Sequence, residues 1–279
     1  SKIKKNGAII SSLSDTLPKY LRERCLKSGV VPLQGMYEGL LAISNSIKIG
    51  KTWKNSFDIK IPKIKPRYNK KTKTFSEYES KLFLNKFGVP IPKSLITNKK
   101  NILHDYRNIG FPLVAKINSN QVFHKTEIDG VITNIKSEKE LIQKIKNFKG
   151  SILIERMIKN IVFEMIVGIK IDNQFGPTII LGAGGVNAEL FKETVTLLLP
   201  LNKKIILQEI KKLKFSKILF GFRGKKGGDL DALINTILKI AIFAEKNSDK
   251  ISEVDINPLI VCKKGKGVFA VDALIHYFE

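Results

Sequence analysis

Cysteine is almost missing from this sequence. Cys25 and Cys262 are the only two, far apart and in no CxxC pair. That excludes a disulfide framework and a thiolate metal site, and fits a reducing, cytosolic setting. Long apolar runs are missing too, and none approaches the length needed to span a bilayer. The opening SKIKKNGAIISSLSD holds only GAII as an apolar stretch, too little for a signal peptide. No GxxxxGK[ST], GxSxG or HExxH occurs, so P-loop and common hydrolase chemistries are without support. Arginine is scarce: the net charge of +24 is carried almost entirely by lysine, spread from Lys2 to Lys266, with six arginines. Lys, Ile and Asn are all abundant and share A/T-rich codons. Without zinc-finger spacing or an aromatic RNA-binding motif, the charge points to no dedicated nucleic-acid partner. Affinity for anionic ligands such as nucleotides or coenzyme A is the gentler implication.

What is present is an ordinary soluble composition, 43% hydrophobic and 27% charged, in a chain of 279 residues that is long enough for two units. Residues 1–54 read as the end of an α/β unit: strand GAIIS, helix LPKYLRERCLKSG, strand VVPL and helix YEGLLAISNSIKIGK. So few elements bury little alone, which suggests the tail of a larger domain. Residues 55–73, lysine-dense with two prolines, read as a linker. A second unit spans 74–279, with lobes about 74–153 and 154–279. It opens on TFSEYESKLFLNKFG, where Ser76 and Glu79 form a capping box and Gly88 stops the helix. Strands FPLVAKIN and GVITNI, helix SEKELIQKIKNF and strand SILIERMI follow. Next come a hairpin of VFEMIVGIKID and PTIILGAG, then two helices, KKIILQEIKKL and LDALINTILKIAIFAEK. The fold class is mixed α/β (α+β).

The chain closes on EVDINPLIVCKKGKGVFAVD, residues 253–272, which read as a β-hairpin. Asp255, Asn257 and Asp272 interrupt its apolar runs, although Asp and Asn are poor strand residues. A turn centred on Lys264–Gly265 sets Asn257 opposite Asp272, and Asp255 shares that face. Converging oxygens suit a hard cation such as Mg²⁺. The competing account is turn chemistry plus an Asn–Pro bend, and the sequence leaves both open.

Other residues carry similar pairs of readings. Lys116 lies in the apolar strand PLVAKIN, where an unpaired ammonium is costly and a bound phosphate would supply its partner. Alternatively it is an edge-strand lysine reaching solvent. His124, in the polar loop NSNQVFHKTEIDGV, is placed to act as base, ligand or phosphoryl carrier, or simply to face water. Glu155 and Glu164 can accept hydrogen bonds from an adenine amino group or ribose hydroxyls, or be ordinary strand residues. TIILGAGGVNAELF offers backbone N–H groups of Gly184 and Gly185 to phosphate. It departs from the dinucleotide fingerprint at Asn187. GFRGKKGGD joins two helices and holds Arg223 between glycines.

In this order, FSEYESKLFLNKFGVPIP, FPLVAKINS, HKTEIDGV, ILIERMI, FEMIVGIKIDNQFGPTIILGAGGVNAELFKE, GFRG, DINPLIV and AVDALI resemble the ATP-grasp portion of the NDP-forming acyl-CoA synthetases. That family includes ADP-forming acetate–CoA ligases and is related to succinyl-CoA synthetase. The resemblance covers residues 74–275, and 1–54 look like the end of the preceding CoA-ligase domain, flavodoxin-like in fold, of a longer chain. It implies a two-lobed ATP-grasp fold that couples acid, CoA and ATP to acyl-CoA, ADP and phosphate through phosphohistidine. Cofactors would be ATP/ADP and Mg²⁺, with CoA and the carboxylic acid held through the CoA-ligase domains, in a cytoplasmic homo-oligomer. Lys116 would hold phosphates, with Glu155, Glu164, Gly184 and Gly185 at the nucleotide. Asn257 and Asp272 would bind Mg²⁺. His124 would relay phosphate, and Asp255 would sit near the phosphohistidine. The other implication is a nucleotide-sensing module without ligase activity. HKTEIDGV departs from the family's HK[ST]DVGGV at Glu127 and Asp129. Leu197 and Lys226 stand where the family has Arg and Pro.

Overall fold

The structure, a computed structural model, describes residues 7–13, 15–54, 71–118 and 130–279. They fall into two compact units, the first ending by Ile59 and the second beginning from Lys60. In the first, β1 (Gly7–Ser11) pairs in parallel with β2 (Val30–Gln34), joined by α1 (Lys19–Lys27) and followed by α2 (Met36–Lys54). Among its described residues only one large apolar side chain, Leu17, is buried, while Tyr37, Leu40, Ile47 and Trp53 are exposed.

The second unit begins with β3 (Thr72–Thr74), α3 (Glu77–Lys86), β4 (Ser94–Thr97), α4 (Ile102–Ile109) and β5 (Leu113–Ile117). β6 (Val131–Ile135), α5 (Glu138–Lys144), β7 (Ile152–Arg156), β8 (Ile161–Asp172) and β9 (Gly176–Ala183) follow. After a 3₁₀ turn at Gly185–Asn187 come α6 (Ala188–Phe191), β10 (Thr194–Leu198), α7 (Lys203–Lys212), α8 (Ser216–Phe220) and α9 (Leu230–Lys246). The chain ends on β11 (Ile251–Cys262), β12 (Val268–Ala270) and β13 (Leu274–Phe278).

Two antiparallel sheets organise this unit. The larger runs β10-β9-β8-β11-β13-β3, with β12 also on β11; the smaller runs β4-β7-β5-β6. Each has its own core. On β8, Phe163, Met165, Val167 and Ile169 alternate inward, as a strand with one buried face requires. Leu233, Ile237, Ile240 and Ala244 present the matching stripe of α9. Phe243 meets Phe83 and Phe87 edge-on, with ring centroids 5.1 Å apart in each pair, which fixes α3 against α9. Ile102, Leu113, Leu141, Phe148 and Ile154 fill the core of the smaller sheet.

Three expectations change. Residues 72 and 73, assigned to the linker, are part of β3, because Thr72, Lys73 and Thr74 pair with Phe278, Tyr277 and His276. A lobe boundary at 153/154 cuts through β7, whose pairing with β4 and β5 keeps 152–156 in the smaller sheet. The segment before β4 belongs with the larger sheet, since Leu84 and Val89 lie in that core. Sequence reading also passed over β4, α4, β10, α8 and β13.

The start of α3 behaves as its sequence dictates. The Ser76 hydroxyl accepts from the Glu79 N–H at 3.3 Å, and the Glu79 carboxylate accepts from the Ser76 N–H at 2.8 Å. Ser76→Ala is expected to destabilise the second unit by about 1 kcal/mol. Chemical denaturation should show a lower midpoint with unchanged slope.

Candidate functional site

Where α3 passes the smaller sheet, four charged side chains meet out of water. Register explains half of this. Lys116 on β5 lies opposite Leu153, and Glu155, two residues along β7, sits opposite Val114, so Lys116 and Glu155 are diagonal neighbours on one face. Helix spacing explains the rest, since Glu77 and Lys81 are one turn apart on α3. Lys116 Nζ donates to Glu77 Oε1 at 2.5 Å and pairs with Glu155 Oε2 at 2.9 Å. Lys81 Nζ donates to Glu77 Oε1 at 2.7 Å and pairs closely with Glu155 Oε1. The Val271 carbonyl accepts from both ammoniums, at 3.2 Å from Lys81 and 2.6 Å from Lys116. Burial alone would lower the pKa of Lys116, but the carboxylates of Glu77, Glu155 and Asp272 outweigh it and hold the pKa above the ordinary lysine value.

This revises the reading of Lys116. It is neither partnerless nor on an edge strand, because β5 lies between β6 and β7 and the ammonium already has two carboxylates. Glu155 is likewise no free acceptor for adenine, since both its oxygens face lysines. Lys81 and Glu77 were missed. The buried positions of α3 are Glu77, Ser80, Lys81 and Leu84, the spacing of a core-facing stripe with charges at two places. That mismatch was the available signal.

The closing hairpin has the anticipated register: Leu259, Ile260 and Val261 pair with Ala270, Phe269 and Val268. The Asn257 N–H donates to the Asp272 carbonyl at 3.2 Å. Against β8, however, β11 carries an extra residue between Ile256 and Leu259. Such a bulge turns side chains off the regular alternation, which is why Asn is tolerated there. Asn257 Oδ1 accepts from the Gly185 N–H at 3.1 Å, tying the hairpin to the glycine turn. The Gly184 N–H donates to the Glu164 carbonyl at 2.9 Å. These two N–H groups thus have protein acceptors, in place of the phosphate that the sequence suggested.

Lys116, Glu155, Glu164, Gly185, Asn257 and Asp272 all line one cavity of about 490 Å³, with Arg156, Met157 and Ile161 on its wall. Two sequence candidates are elsewhere. Gly184 is buried behind the turn. Asp255 lies among Glu253 and His276, its pKa raised mainly by burial and then by Glu253, with His276 opposing. Burial also raises the pKa of Glu164. His124, Glu127 and Asp129 lie outside the described residues. Among the described residues no three His, Cys, Asp or Glu side chains converge as a metal cage. Asn257 and Asp272 are a donor pair that suits Mg²⁺ when phosphate oxygens and water complete its octahedron. A separate cavity of about 750 Å³ is lined by Phe222, Arg223, Lys225, Lys226 and Lys263, with no carboxylate among its described wall residues.

A family model described as an ATP-grasp domain matches residues 67–276. The chain belongs to the ATP-grasp family. The β subunit of ADP-forming acetate–CoA ligase II from Pyrococcus furiosus is 32% identical over 212 residues, covering 71% of this chain and 89% of that protein. The ADP-forming 4-hydroxybutyrate–CoA ligase of Nitrosopumilus maritimus is 31% identical over 275 residues, 90% of this chain and 39% of that one. Among solved structures, the dinucleotide-forming acetyl-coenzyme A synthetase 1 of Ca. Korarchaeum cryptofilum is 34% identical with a TM-score of 0.64, covering 74% of this chain and 93% of the other. That structure holds coenzyme A and Mg-AMPPCP, and its phosphohistidine segment points towards the nucleotide-binding site. The expected family and fold class are therefore correct, and the homologues are ADP-forming acyl-CoA synthetases and their subunits. The matched part of this chain spans 89% of the Pyrococcus β subunit but only 39% of the long single-chain ligase.

The glycine turn supplies a test of this architecture. Gly185 has φ +52, and a Cβ there would lie 1.8 Å from the flexible Glu164 Oε2; one on Gly184 would lie 2.4 Å from the Met165 backbone. Gly185→Ala is expected to cost about 1–2 kcal/mol for the left-handed backbone. Gly184→Ala should cost more, because backbone cannot swing aside, and paired urea titrations should show that order.

Proposed function

We propose that this chain is the nucleotide-binding part of an NDP-forming acyl-CoA synthetase, coupling acid, CoA and ATP to acyl-CoA, ADP and phosphate through phosphohistidine. The observation that carries this reading is the single cavity shared by Lys116, Glu164, Asn257 and Asp272. Bound Mg-nucleotide supplies a phosphoryl group whose charge the metal partly neutralises. Asn257 and Asp272 hold the metal, Lys116 donates to phosphate oxygens, and Glu164 accepts from the ribose. Gly185 places the turn through Asn257, and Gly184 backs it. Glu155 acts at one remove, by orienting Lys116. His124 is the relay histidine by its match to the HK[ST]D segment, and Asp255 takes the place near the phosphohistidine.

Residues 1–54 are the counterpart of the end of a CoA-ligase domain, with 55–71 as connector and the ATP-grasp domain after it. In support, the match to the Nitrosopumilus ligase extends over 90% of the chain. The exposed Tyr37, Leu40, Ile47 and Trp53 also need a covering surface. The carboxylic acid and CoA bind through the CoA-ligase domains, and the assembly is a homo-oligomer. Among the described residues no helix is long and apolar enough to cross a membrane. With both cysteines free, this supports a cytoplasmic location.

Full-length protein given ATP, Mg²⁺, CoA and a panel of carboxylic acids should release ADP with one of them. Asp272→Asn should weaken Mg-nucleotide binding about 10- to 100-fold, the worth of one charge-assisted contact. His124→Ala should abolish phosphate transfer to ADP while nucleotide binding survives. Wild-type turnover in that variant removes the relay role, and nucleotide binding without turnover in the unmodified protein leaves a sensor.

A further inference from the structure

Lys116 donates to Glu77 Oε1 at 2.5 Å and to the Val271 carbonyl at 2.6 Å, and its ammonium is ion-paired with Glu155 Oε2 at 2.9 Å. Lys81 addresses the same three groups. The two lysines differ in one respect. Lys116 lines the cavity, whereas the Lys81 side chain is 0% exposed and is not on the cavity wall. A phosphate oxygen entering the cavity therefore competes for Lys116 with partners that already hold it, and meets its full charge only when they release it. That release leaves two buried carboxylates facing a single cation, which is tolerable because Lys81 already bridges both.

We propose that Lys81 is a positioning residue for nucleotide binding: it retains Glu77 and Glu155 while Lys116 passes from their carboxylates to phosphoryl oxygens. The inference rests on the cavity being a nucleotide site. It assigns opposite signs to two neutralising changes. Lys81→Met leaves both carboxylates to Lys116, which is then withheld from phosphate. Glu77→Gln removes one competitor, and Lys116 is released more readily. The double variant has one lysine and one glutamate, so its charge balance is restored.

The experiment is calorimetric titration of the 279-residue chain with Mg²⁺ and a non-hydrolysable ATP analogue, with folding checked by circular dichroism. Lys81→Met should bind about 5- to 150-fold more weakly, the usual span of coupling between sites. Glu77→Gln should bind more tightly, and the double variant should return towards the wild-type value. A residue that only supports the fold would weaken binding in both single variants. Weaker binding by Glu77→Gln, or unchanged binding by folded Lys81→Met, overturns the proposal while the nucleotide reading stands. If Lys81→Met does not fold, Glu77→Gln and the double variant decide. No binding by the wild-type chain overturns the nucleotide reading and this inference together.

Discussion

The second unit depends on a buried square of two lysines and two glutamates. Taking each ion out of water costs several kcal/mol, and the mutual attraction repays that only when geometry is good and every remaining donor and acceptor is used. The ions approach closely here, and the Val271 carbonyl accepts from both ammoniums as well. The arrangement joins two pieces that hydrophobic packing leaves in separate cores: the smaller sheet, through Lys116 and Glu155, and the core of the larger sheet, through α3 and Val271. Removing a single partner would strand a charge, at about 3–5 kcal/mol. The same square sets the wall of the cavity, since it fixes where the Lys116 ammonium stands.

Another part of the cavity wall is set by backbone geometry. The hairpin register carries Asn257 opposite Asp272, and the bulge on β11 turns Asn257 far enough to accept the Gly185 N–H. Asp272 directly follows Val271, whose carbonyl caps the ion square, so donor pair and square are held in register by one peptide unit. A shift of one residue in that hairpin would move both at once.

This explains what could be read from sequence. Strand alternation in β8, the capping box of Ser76 and Glu79 and the hairpin pairing are local patterns, and each was legible. Lys116, Asn257 and Asp272 were legible as misfits, polar residues in apolar runs. Lys81 and Glu77 were also misfits, but on a helix rich in charge such a pair is indistinguishable from a solvated i,i+4 contact until burial is known. The role of Glu155 was misjudged for the same reason, because its two lysine partners come from α3 and β5, and no sequence spacing links them. Asp255 was grouped with Asn257 by alternation, and the intervening bulge separates their surroundings.

The charge of the cavity narrows what it accepts. The chain as a whole carries +24, a field that raises the local concentration of anions at long range. Inside, Glu155, Glu164 and Asp272 face Lys116 and Arg156, and most of the Lys116 charge is already countered. A bare triphosphate would meet a wall with an excess of carboxylate, and like charges at short range are costly where screening is poor. A divalent cation reverses that balance, since it can be shared by Asp272, Asn257 and phosphate oxygens at once. The larger cavity at Arg223 is the contrasting case, with cations and no carboxylate among its described wall residues. An anion would enter it without a metal, since none of those described residues offers a carboxylate oxygen to one. The acid-rich cavity thus has an electrostatic reason to take its nucleotide as a magnesium complex.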